Sequence, residues 1–295
     1  MSLIERAARH LVELNQHGPD NDDDHDDVIP LIPPTSTVAA DLGQGPIVRT
    51  NATSRHVDID LQKLVAAGYI RPGAPGSLIA EEFRVLKRPL LANIAGRSGV
   101  PIRNANLIMV TSALPAEGKT FTAVNLAISI AMEFERRVLL VDADVTRPSL
   151  PNLLGIPAQK GLLDVLCDKS VHLSEVLLHT NVDKLSVLTA GTPHLNATEL
   201  LASPAMNRLL KEMAQRYPDR IIVFDAPPLL ITTEARVLVT HMGQVLFVVR
   251  AAETTQSAVK QALATIEACP VKYLVLNQMR SSHQKAFGHA HTDGI

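Results

Sequence analysis

The sequence predicts an α/β protein built on a doubly wound, mostly parallel β-sheet. Six apolar runs recur between residues 104 and 280: LIMVTS at 107–112, VLLVDAD at 138–144, LSVLTAG at 185–191, RIIVFDAPP at 220–228, QVLFVVRA at 244–251 and YLVLNQ at 273–278. Short, continuously apolar runs suit strands buried on both faces. Helical patterns at 120–134, 199–216 and 255–268 lie between them, and parallel strands need such crossovers. The chain also has no Trp, three Tyr and six Phe. Its core must be Leu, Val, Ile and Ala, which favours helices packed on a parallel sheet over an aromatic β-sandwich. In such folds ligands gather at the carboxyl ends of the strands.

The 295 residues allow one large domain with appendages. Residues 1–16 place Leu3, Ile4, Ala7, Leu11 and Leu14 on one stripe of an amphipathic helix. Residues 17–54 read as a disordered linker, acidic at 20–27 with six Asp, then rich in Pro, Thr and Ser. Residues 55–103 form a helical lead-in. One helix falls within 56–73 and closes at Gly68; a second spans 77–95, with Ser77 as N-cap and Pro89 inside. Residues 104–280 form the α/β domain, and 281–295 a flexible tail.

A formal charge of −2 gives no general attraction to nucleic acid. Cys167 and Cys269 have no neighbour at metal-ligand spacing and are expected to be buried, reduced thiols. No run reaches the ~20 apolar residues that span a bilayer, and the N-terminus lacks the apolar core of a secretory signal. The expected location is the cytoplasm, with any membrane association made through a partner.

The strand 107–112 runs into Ala113-Leu-Pro-Ala-Glu-Gly-Lys-Thr120, and a helical pattern follows. Strand, loop, Gly-Lys-Thr and helix are the context of a P-loop. Successive backbone N–H groups and the positive helix end wrap phosphates. Lys119 reaches the β and γ phosphates, and the Thr120 hydroxyl ligates magnesium. Pro115, Ala116, Glu117, Gly118, Lys119, Thr120 and Phe121 make up the nucleotide-binding loop. Ala stands at 113 and 116 where glycine is usual; a positive φ at Ala116 would cost roughly 1–2 kcal/mol. The second strand ends with Asp142 and Asp144, two carboxylates at i and i+2, whose burial calls for a cation or a proton to be taken. The run 221–224 followed by Asp225 makes a Walker B strand, with Asp225 holding magnesium. Thr120 and Asp225 are thus candidate magnesium ligands, while Asp142 and Asp144 would meet either the cation or the proton. These residues serve ATP hydrolysis and phosphoryl transfer equally well.

The order ALPAEGKT, LLVDADVTRP, IIVFDAPP resembles the bacterial tyrosine kinases (BY-kinases) of capsule and exopolysaccharide loci, within the deviant-Walker, MinD-like P-loop NTPases. The resemblance covers about 77–280. SLIERA, VDIDLQKLVAAGYIRPG, EEFRVLKRPLL and FDAPPLLITTEARVL are similar to the autokinases found beside exosortase and PEP-CTERM genes. Partition-type ATPases carry a lysine where Leu114 stands. The resemblance implies an ATP- and Mg2+-dependent protein-tyrosine kinase acting in exopolysaccharide synthesis. Lys119, Asp142, Asp144 and Asp225 are then catalytic, with Asp142 joining Thr120 and Asp225 as metal ligands and serving as candidate base toward a tyrosine hydroxyl. Arg147 would contact phosphate or substrate, and Asn277 the base. Glu81-x-x-Arg84-x-x-Lys87 is similar to the helix motif through which these kinases build a homo-oligomeric ring. The implied partners are protein substrates bearing tyrosine and a membrane-bound polysaccharide co-polymerase, with no nucleic acid. Many such kinases end in a tyrosine cluster, but residues 281–295 contain no tyrosine. Tyr217 falls at a helix end and Tyr273 in a predicted core strand, so Tyr69 is the best internal phosphoacceptor. A nucleotide-switched scaffold and a partition-type ATPase are the alternative functions.

Overall fold

The computed structural model describes residues 55–74, 76–216 and 220–279. The N-terminal amphipathic helix, the acidic linker, Tyr217 and the tail at 281–295 lie outside the described residues. The strands are β1 (Arg55–Val57), β2 (Leu107–Ser112), β3 (Arg137–Asp142), β4 (Leu178–Thr180), β5 (Leu185–Leu188), β6 (Arg220–Asp225), β7 (Gln244–Arg250) and β8 (Val271–Asn277). They form one sheet in the order β1-β4-β5-β3-β6-β2-β7-β8. Every pairing is parallel except β4 with β5. This is the mostly parallel α/β sheet that the apolar runs predict.

Alternation along the central strands divides the interior into two layers. On β2, Leu107 and Met109 enter one core while Ile108 and Val110 enter the other. On β6, Ile222 and Phe224 take the first side, Ile221 and Val223 the second. The side of Ile108 is covered by α1 (Leu61–Ala66), α2 (Leu78–Ile94) and α3 (Lys119–Ala131). The opposite side is covered by α5 (Leu162–Cys167), α7 (Ala197–Leu201), α8 (Pro204–Arg216), α9 (Glu234–Val239) and α10 (Gln256–Ala264). The short α4 (Leu150–Leu154) and α6 (Leu173–Val176) complete the helices among the described residues.

The lead-in belongs to the same packed body. β1 adds to the outer edge of β4, and Ile59, Leu64, Ile70, Phe83 and Leu90 are buried with the P-loop helix α3. Asn181 bonds both the N–H and the C=O of Ile59 (2.9 and 3.0 Å). Asn125 of α3 accepts the Ile70 N–H at 2.8 Å. Gly68 has φ +88 and ends α1, as its sequence position suggests. Ser77 caps α2, accepting the Ala80 N–H at 3.3 Å, and the helix continues through Pro89.

Four sequence expectations need correction. The strands β1 and β4 carry no apolar run, being three residues each, and escape a periodicity reading. Tyr273 does not lie in a core strand: β8 is the sheet edge, with Leu274 and Leu276 more than half exposed. Cys167 is exposed, because α5 turns Leu162, Leu163 and Leu166 inward and Cys167 is its last residue; only Cys269 is buried. Lys87 does not share an exposed stripe with Glu81 and Arg84. It is 6% exposed, and its Nζ bonds the Ser129 carbonyl (2.6 Å) and Glu133 (2.5 Å), tying α2 to the end of α3. Arg84 and Glu81 pair with each other on the surface at 2.9 Å.

Candidate active site

The carboxyl ends of β2, β6 and β3 are neighbours, and they bring the sequence motifs to one place. The loop 113–118 leaves β2, and α3 begins at Lys119, so the positive helix end and its free N–H groups face this point. Gly118 has φ +96, and a Cβ there would collide with Asn277 Nδ2. Glycine is needed for the conformation and for the space. Ala116 adopts φ +62, the strained value that the sequence raised as a possibility.

Asp142 and Asp225 are cross-strand partners at the ends of β3 and β6. Both are fully buried. Asp142 Oδ2 accepts the Leu150 N–H at 3.2 Å. Its Oδ1 and both oxygens of Asp225 have no hydrogen-bond partner. Burial, reinforced by the charge of Asp225, pushes Asp142 up to about 8. Burial likewise pushes Asp225 up to about 7, although Thr120 and the Lys119 ammonium pull it down. Three unpaired carboxylate oxygens beside a threonine hydroxyl form a hard, all-oxygen donor set of the kind magnesium takes. On that ground the residues fit the metal.

Asp144 faces Lys119 but is engaged in its own turn, where Oδ1 accepts from the Thr146 hydroxyl and the Arg147 N–H, both at 3.2 Å. Burial raises its pKa, while those bonds and Lys119 oppose the rise. The i, i+2 reading of a continuing strand fails here, because β3 stops at Asp142 and the chain turns. Arg147 is exposed beside Asp144. Phe121 is not a phosphate-loop side chain. Its ring packs on Tyr69 (centroids 5.0 Å) and Phe83 (6.5 Å), between α3 and the lead-in. Asn277 donates to the Glu117 carbonyl at 3.0 Å, so its amide supports the loop. Glu117 is buried with its carboxylate turned into the protein, accepting the Leu114 N–H at 2.7 Å and the Thr254 hydroxyl.

Sequence reading missed three contributors. Ser149 lies 3.1 Å from the Thr120 hydroxyl. Thr254 meets Glu117, and Gln278 donates to the Ala116 carbonyl at 3.4 Å. No local pattern marks any of them, since each arrives from a different strand end. Tyr69 is half-buried, and burial with the nearby charge of Asp225 raises its phenol above the usual value.

A glycine-bearing loop, a helix amino end and two unpaired aspartates at adjacent strand ends define a P-loop nucleotide-binding site. Residues 106–278 match a family described as AAA domain. The chain is 31% identical over 217 residues to the tyrosine-protein kinase YwqD of Bacillus subtilis, covering 73% of this chain and 87% of that one. It is 33% identical to the tyrosine-protein kinase ptk of Acinetobacter johnsonii, but spans only 24% of that longer protein. Among solved structures, the kinase domain of the Escherichia coli tyrosine kinase ETK superposes with a TM-score of 0.62 and 31% identity, over 71% of this chain and 80% of that one. The chain belongs to the bacterial tyrosine-protein kinase family. These relatives support the family; they do not separate out the exosortase-associated branch.

Proposed function

We propose that this chain transfers the γ-phosphoryl group of ATP to tyrosine hydroxyls of proteins. The observation that carries the reading is the register of Asp142 against Asp225 beside the start of α3. The helix end and Lys119 bind and orient the triphosphate. Thr120, Asp142 and Asp225 would hold magnesium, which supplies positive charge to the phosphates. The tyrosine oxygen attacks the γ-phosphorus, the bond to the β-phosphate oxygen breaks, and ADP leaves. The phenolic proton is proposed to pass to Asp142, which has one oxygen bonded to the Leu150 N–H and the other without a partner. Arg147 is proposed to meet phosphate or substrate, with Asp144 steering Lys119.

The resemblance of the motifs to capsule and exopolysaccharide kinases motivates the wider setting. We place the protein in exopolysaccharide synthesis, beside a membrane-bound co-polymerase, in a ring to which the exposed Glu81 and Arg84 contribute. Tyr69 is the proposed internal acceptor, because its hydroxyl senses Asp225. A second reading, an ATP-switched scaffold with little transfer, is favoured by one observation: Tyr69, the proposed acceptor, is half-buried with its ring packed on Phe121.

The test is incubation with labelled ATP and magnesium, alone and with the cytoplasmic segment of a candidate co-polymerase. Phosphotyrosine that disappears in Lys119→Met and Asp142→Asn supports the kinase. ATP-dependent assembly with no label in any mixture supports the scaffold instead.

A further inference from the structure

The phosphate loop contains one strained residue. Ala116 sits at φ +62, a conformation that disfavours a residue with a Cβ. Contacts from outside the loop can offset that strain. One flank faces β6, with Asp225. The other flank faces β7 and β8, and there the loop is bonded to its neighbours.

Glu117 is at the centre of those bonds. Its side chain is 2% exposed, and a buried carboxylate needs donors. It has two, from different segments. Leu114 N–H closes the loop on itself, while the Thr254 hydroxyl comes from the turn between β7 and α10. Thr254 is fixed in turn, accepting the Arg250 N–H at 3.1 Å. The last residue of β8 adds a second tie, since Asn277 bonds the Glu117 carbonyl while its own carbonyl accepts the Ala251 N–H at 2.9 Å. The turn 250–254, the end of β8 and the phosphate loop therefore form one hydrogen-bonded unit.

We propose that Glu117 and Thr254 form a clamp that holds the phosphate loop in its nucleotide-binding shape and couples nucleotide affinity to the turn between β7 and α10. This rests on reading 113–120 as the phosphate loop. Glu117 is a positioning residue: it acts through the backbone N–H groups it fixes, and Thr254 acts through Glu117.

The experiment is a double-mutant cycle on the binding of a non-hydrolysable ATP analogue with magnesium, read by calorimetry. Losing a charge-assisted bond should weaken binding by about 10- to 100-fold in Glu117→Ala. Thr254→Val, outside the loop, should weaken it by roughly 5- to 30-fold, and the double variant should bind like Glu117→Ala alone. Thr254→Ser and Glu117→Gln should both restore binding to within about threefold, since glutamine can accept from Leu114 and donate to Thr254. If Glu117→Ala does not fold, the Thr254→Val and Thr254→Ser pair still decides the matter. Thr254→Val binding like the parent, or strictly additive losses, would overturn the clamp. Absence of binding by the unmutated chain would instead sink the P-loop reading, and neither result depends on tyrosine labelling.

Discussion

Asp142 and Asp225 stand side by side on adjacent parallel strands, and three of their four carboxylate oxygens have no hydrogen-bond partner. In the unfolded chain both ionise near 3.8, whereas in the fold they hold protons up to about 8 and about 7. Folding without a cation therefore takes up protons in this window, and stability falls as pH rises from about 4 to about 8. Each tenfold change in proton affinity is worth about 1.4 kcal/mol, which is ample for thermal unfolding to register. The metal-free protein should show Tm falling from pH ~5 to pH ~8. Magnesium with nucleotide, or Asp225→Asn, should flatten that slope. A Tm constant across the window would contradict this account of the pair.

Ala116→Gly should stabilise the protein by about 1 kcal/mol, because glycine adopts positive φ without strain. The corresponding rise in Tm is roughly 2–4 °C for a domain of this size. Gly118→Ala should do the reverse and abolish nucleotide binding, since its methyl group would occupy the position of the Asn277 amide. Calorimetry on the two variants checks both outcomes.

Lys87 and Arg84 should part company. Lys87→Ala removes a buried ammonium from the Ser129 carbonyl and from Glu133. Glu133 is partly solvated, so the cost is about 2 kcal/mol, below that of a fully buried pair. Arg84→Ala breaks only a surface pair and should change stability by less than about 0.5 kcal/mol. If Glu81 and Arg84 serve assembly, sedimentation should show weaker self-association in Arg84→Ala at unchanged Tm.

Tyr69→Phe should remove most of the phosphotyrosine formed when the chain is incubated alone with ATP, while leaving nucleotide affinity within about twofold. Its hydroxyl makes no hydrogen bond that phenylalanine would forfeit among the described residues, and the ring contact with Phe121 is kept. Peptide mapping identifies the labelled residue. Undiminished label in the variant would eliminate Tyr69 as acceptor.

The sheet was readable because its central strands are continuous apolar runs, and the phosphate loop because its residues are consecutive. Asp142 and Asp225 were readable for a related reason: each closes an apolar run with an acid. Lys87 was misread because helix spacing reports which residues share a face, not whether that face is covered by another helix. Phe121 and Asn277 fall at the expected ends, but the Phe121 ring packs on Tyr69 and Phe83, and the Asn277 amide bonds the Glu117 carbonyl. Their sequence positions fix the strand or helix end, whereas rotamer and packing fix what the side chain touches. Thr254 and Ser149 carry no sequence signal, since their roles exist only once distant strand ends meet.

The segment that runs from β1 through Ile70 is seated at β1, Ile59, Leu64 and Ile70, yet it joins α2 through the exposed Gly73 and Gly76. Covalent continuity and physical attachment are thus separable there. A protease nick at that junction would cut the chain but leave Ile59, Leu64 and Ile70 buried against α3, so the severed piece would stay on as a noncovalent subunit, and the P-loop helix would keep its cover.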